Sequence, residues 1–69
     1  MTEKSEKLLD LYYHELRSHL LEAAATIDRF EKAGLSENAR LQRLLRAAEV
    51  VLDNKKDRAK RFLEALSDE

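Results

Sequence analysis

The sequence predicts an all-α chain: two long helices joined by one turn, folded as an antiparallel hairpin that pairs with a second copy into a four-helix bundle. Three observations predict this. The only glycine, Gly34, lies near the midpoint of 69 residues that contain no proline. Apolar residues on both sides of it recur at alternating spacings of four and three. Charged residues make up 39% and apolar residues 43%, the balance of long helices and coiled coils rather than of a sandwich or a barrel.

The first helix is expected over about 3–33. Thr2 or Ser5 suits its N-cap, and Glu3 and Glu6 complement the positive end of the helix dipole. Its apolar ladder is Leu9, Tyr13, Leu16, Leu20, Ala23, Ile27 and Phe30, a heptad seam held for three repeats. Leu8, Leu11, Tyr12, Leu21, Ala24 and Ala25 lie off that seam and widen the apolar surface beyond what one partner helix needs.

The turn is expected at 33–36. Gly34 has no Cβ and so adopts the left-handed conformation that ends helices. Phe30 and Leu35 then occupy the positions of the apolar pair that closes a Schellman ending, and Ser36 is a candidate cap for the next helix.

The second helix is expected over about 37–66. Its ladder is Leu41, Leu45, Ala48, Leu52, Lys55, Ala59, Phe62 and Leu66, with Leu44, Val51 and Ala65 alongside. The spacing stays in phase through the polar stretch Asp53-Asn54-Lys55-Lys56-Asp57, which favours one unbroken helix. The competing reading is a break at Asp53-Asn54 and a three-helix chain, since Asp and Asn are fair cap residues.

Helices of about 30 residues run roughly 45 Å each, and folded back at Gly34 they enclose no core of their own. Pairing of two hairpins covers both ladders, so a homodimer is expected, with Leu8, Leu11, Tyr12, Leu21, Leu44 and Val51 at the dimer or partner interface.

Composition narrows the function. There is no cysteine, hence no disulfide and no thiolate metal site. A net charge of -1 provides no global attraction to nucleic acid or membrane, although residues 36–69 carry eight basic side chains against five in residues 1–35. No apolar run reaches the roughly 20 residues of a membrane span, and Met1-Thr2-Glu3-Lys4-Ser5 has no signal-like apolar core, so a cytoplasmic location is expected.

Four constellations carry possible chemistry. Glu15, His19 and Glu22 share a helical face and form a candidate divalent-metal triple; the competing reading is a surface histidine among salt-bridging neighbours. Lys55 falls in the apolar ladder, and pairing about the turn sets it near Leu16, Tyr12, Tyr13 and His19 as a polar centre for a small acid. Its competing reading lays the methylenes on the seam and the ammonium in water.

Arg40, Arg43, Arg46, Lys56, Lys60 and Arg61, with Arg58, form a candidate nucleic-acid face. Against it, Glu49, Asp53 and Asp57 sit where they salt-bridge Arg46, Lys56 and Lys60 or Arg61 within a helix, and no aromatic is interleaved for base stacking. Finally, Leu8, Leu11, Leu21 and Val50 are candidates for an exposed partner surface.

No nucleophile is paired with a base and an orienting acid, so neither enzymatic activity nor a cofactor is expected. The functional expectation is a small interaction or regulatory module that self-associates and presents a helical surface to a protein partner. A nucleic-acid-binding bundle and a metal-binding bundle are the alternatives.

Overall fold

A thirty-residue run without glycine or proline, rich in Leu, Ala, Glu, Lys and Arg, has every reason to be helical from end to end. The computed structural model, which describes residues 3–67, shows it so: α1 spans Glu3–Lys32. Thr2, one of the two cap candidates, lies outside the described residues, as do the terminal Asp68 and Glu69. Ser5, the other candidate, is inside the helix rather than at its start. Arg29 and Lys32 stand in the last turn, where their charge complements the dipole.

The helix stops where the glycine predicts. The Ala33 N–H still donates to the Arg29 carbonyl at 3.0 Å, and Gly34 then turns to a φ of 78°. Nothing lies within 4 Å of where a Cβ at Gly34 would sit, so the demand for glycine comes from the backbone angle alone.

The chain divides here into two units, the first ending at Ala33 and the second starting at Gly34. The first unit is α1 by itself. A single helix cannot enclose its own side chains, and Leu8, Leu9, Leu11, Tyr12, Tyr13, Leu16, Leu20, Leu21 and Ile27 are all exposed.

The second unit departs from the expected single helix over 37–66. It contains α2 (Ala39–Ala48), a 3-10 turn (Glu49–Leu52) and α3 (Arg58–Ser67). The start is shifted as well: Asn38, not Ser36, caps α2, its side-chain oxygen accepting the Leu41 N–H at 3.0 Å. Asn38 is free to do so because its extended backbone lies just outside the helix, whereas Ser36 belongs to the preceding turn, closed by the Asn38 N–H donating to the Leu35 carbonyl.

The helix fails after Ala48. Val50 and Val51 are β-branched and carry little preference for α geometry, and the 3-10 turn ends at Asp53, whose backbone is extended. The break lets α3 pack on α2 and on the 3-10 turn. Ala47 is the buried centre of the unit at 3% exposure, flanked by half-buried Leu41, Leu45, Ala48, Val50, Phe62, Ala65 and Leu66. Phe62, Ala65 and Leu66 keep the inward role the ladder predicts, but Leu52 is 80% exposed and Lys55 lies in the connecting segment outside any helix. Val50, expected at the surface, is half-buried under α3.

Candidate functional site

Two features stand out: the apolar side of α1, and a polar clasp that closes the break between the 3-10 turn and α3.

On α1 the seam residues Leu9, Tyr13, Leu16, Leu20 and Ile27 are 37–57% exposed. The flanking Leu8, Leu11, Tyr12 and Leu21 are exposed to 53–69%. On a helix, side chains three and four apart line one face, so the seam forms a single continuous stripe. From Leu9 to Phe30 it runs for about 32 Å at 1.5 Å per residue. Tyr13 also meets the ring of His14 edge to face, with centroids 5.5 Å apart.

The polar side of α1 holds the expected metal triple only in part. His19 Nε2 lies 3.5 Å from Glu15 Oε1, with both side chains more than half exposed. Glu22 does not complete the set: among the described residues no group of three or more His, Cys, Asp or Glu side chains is placed to hold a metal ion. Helical spacing puts three residues on one face, but a cation also needs their oxygens and nitrogens to converge on one point, which an exposed i, i+4 pair does not provide. The pair is an ordinary surface contact of small energetic weight.

The clasp centres on Asp53. Both its carboxylate oxygens accept from the Arg61 guanidinium, at 2.7 Å from Nη1 and 2.8 Å from Nη2. Oδ1 also accepts the Lys55 N–H at 3.0 Å, forming an Asx turn. Arg58 donates from Nη2 to the Asp53 carbonyl, and its Nε lies 3.7 Å from the carboxylate. Arg61 further donates to the carbonyls of Lys56 (2.7 Å, from Nε) and Lys55 (3.2 Å, from Nη2). One guanidinium thus satisfies a carboxylate and two carbonyls, those of Lys55 and Lys56, in the segment between the 3-10 turn and α3. The Arg61 hydrogen bonds, with help from the Lys55 N–H, hold the Asp53 carboxyl well below the usual carboxylate range, and Asp53 in turn pushes the Arg61 guanidinium up.

Asp57, at the end of the same segment, has a φ of 59°, and it is the only described non-glycine residue in the left-handed region. Its carbonyl accepts the Arg61 N–H at 2.9 Å and so begins α3.

These contacts revise the basic face. Asp53 pairs with Arg61 rather than with Lys56, and Arg61 turns inward to the clasp instead of joining Lys56 and Lys60 toward a phosphate backbone. Arg40, Arg46, Lys56 and Lys60 remain exposed, while Arg43 is half-buried. Lys55 contributes its backbone N–H and carbonyl to the clasp, and its side chain occupies no seam position because the segment is not helical.

Of the remaining interface candidates, Leu44 and Val51 are exposed at 42% and 41%, and Val51 lines an open apolar depression with Arg58, Ala59 and Phe62. The clasp is the feature that helical periodicity passes over: Asp53 and Arg61 are eight residues apart, a spacing at which no helical pair meets. The signal available was the Asp53-Asn54 break after a valine pair.

No protein-family model matches the chain, and no curated protein or solved structure shows significant similarity to it. No helix among the described residues is long and apolar enough to cross a membrane.

Proposed function

We propose that this chain is a non-enzymatic interaction module that self-associates through the apolar side of α1 and presents the resulting helical surface to a protein partner. The observation that carries the reading is the exposed stripe on α1. Nine large apolar side chains between Leu8 and Ile27 have no cover within the helix's own unit. Exposed apolar surface of this extent marks an interaction site. A heptad seam favours another helix as the cover, and a second copy supplies one with the same repeat in a closed, two-fold arrangement.

The antiparallel hairpin at Gly34 and its four-helix dimer belong to the same proposal. That bundle matches the full length of α1 only with an unbroken second helix, and the break at 49–57 interrupts it in the form described above. Self-association through α1 does not depend on the break.

Sedimentation equilibrium tests the proposal. A dimer at micromolar concentration, weakened by substitutions on the α1 seam, supports it. A stable monomer across the micromolar range overturns it.

A further inference from the structure

We infer that residues 49–57 are a two-state hinge: the clasp holds the second unit broken, and its release lets 39–67 become one continuous helix. Four observations meet in this segment. The apolar ladder Leu41, Leu45, Ala48, Leu52, Lys55, Ala59, Phe62, Leu66 keeps its phase through a stretch that is not α-helical. Nothing there forbids a helix, since the segment contains neither glycine nor proline. The broken form carries visible costs: Leu52 is 80% exposed and Asp57 is left-handed at a φ of 59°. A 3-10 stretch interrupting a helical pattern is itself a common mark of a hinge.

The charges of the segment serve both forms, and Arg61 tells them apart. In the broken form Arg61 grips Asp53 with two hydrogen bonds. In a continuous helix these residues stand eight positions and about 12 Å apart along the axis, too far for a two-point contact. Arg61 then lies one turn from Asp57, and Asp53 lies near Lys56, both at spacings that stabilise helices. The exchange of partners replaces one strong clasp by two weaker intrahelical pairs. It also returns Leu52 to a seam with Leu45, Ala48 and Ala59. Only the straight form offers that seam unbroken, so a helix laid along it draws the equilibrium toward the straight state. The hinge is independent of whether α1 self-associates.

The test places spin labels at exposed positions 40 and 64 of the full chain, which has no native cysteine to interfere. A continuous helix sets these backbones about 36 Å apart, and the broken form, with α3 packed on α2, sets them closer. Asp53→Ala removes the clasp and leaves the Asp57–Arg61 pair available. Asp57→Ala leaves the clasp intact but disfavours the left-handed residue and improves helix propensity. Each is expected to raise the ratio of straight to broken form on the order of tenfold. Ellipticity should rise by up to the nine residues of 49–57. Asp57→Gly favours the left-handed angle and should keep the short distance. Loss of helicity in Asp53→Ala, or a distance unchanged in both alanine variants, overturns the hinge. The first outcome makes the clasp a support of one fixed fold, and the second makes the break independent of it.

Discussion

Leu16→Ala measures the proposed association directly. Leu16 sits in the middle of the α1 seam and is 57% exposed. The substitution removes three carbons, worth about 2.4 kcal/mol at about 0.8 kcal/mol per carbon when burial is complete. The helix already shields part of the side chain, so about 1.4 kcal/mol depends on cover from outside, taking the exposed fraction as the share to be buried. A two-fold dimer repeats the change in both copies, giving about 2.7 kcal/mol, or about a hundredfold rise in Kd. Alanine is the better helix former, so α1 itself should keep its ellipticity. Sedimentation equilibrium across a concentration series reads the change, with circular dichroism as the control for helix content. A Kd altered less than threefold, with α1 intact, would refute the assignment of the seam as the interface.

Three further outcomes follow from the second unit. Asn38→Ala removes the cap on the Leu41 N–H and should cost about 1 kcal/mol, seen as roughly fivefold faster hydrogen exchange at the start of α2. Ala47→Glu puts a charge at a position 3% exposed, at a cost of several kcal/mol that so small a core does not absorb. The packing of α3 on α2 should be lost, read as a longer distance between labels at positions 40 and 64, and an unchanged distance would contradict the packing described. The Asp53 carboxyl, held down by Arg61, should titrate below the free-aspartate value of about 3.9, and Arg61→Gln should return it toward that value by carboxyl-carbon NMR. Because the folded value lies below the unfolded one, the stabilisation from Asp53 is complete above about pH 5 and declines as pH falls.

The first half of the chain is nearly transparent to sequence reasoning. Its helix needs only propensity, a heptad spacing and a stop, and Gly34 provides the stop through its backbone alone. For 37–66 the same reasoning ranks the two readings in the wrong order: the break at Asp53-Asn54, its second choice, is close to the break found over 49–57. Periodicity favours a continuous helix there, and by local energetics alone it is a reasonable one. The break is won by interactions between residues that local pattern does not connect. Arg61 reaches back eight positions to Asp53, and Phe62 and Leu66 close over a unit centred on Ala47. Ala47 stands outside the expected ladder because its burial arises from α3 folding onto α2, not from a stripe along one helix. Asp57 accepts a left-handed angle, which a short polar side chain tolerates better than most.

The sequence by itself determined the helical class, the long first helix with the residues of its apolar seam, and the turn at Gly34. Each rests on interactions within one turn of helix, or on the steric freedom of one residue. Tertiary structure decided where the second half bends, which residue it buries and which carboxylate Arg61 holds. Those outcomes compare two arrangements that local chemistry leaves close in energy, and contacts between distant residues make the difference.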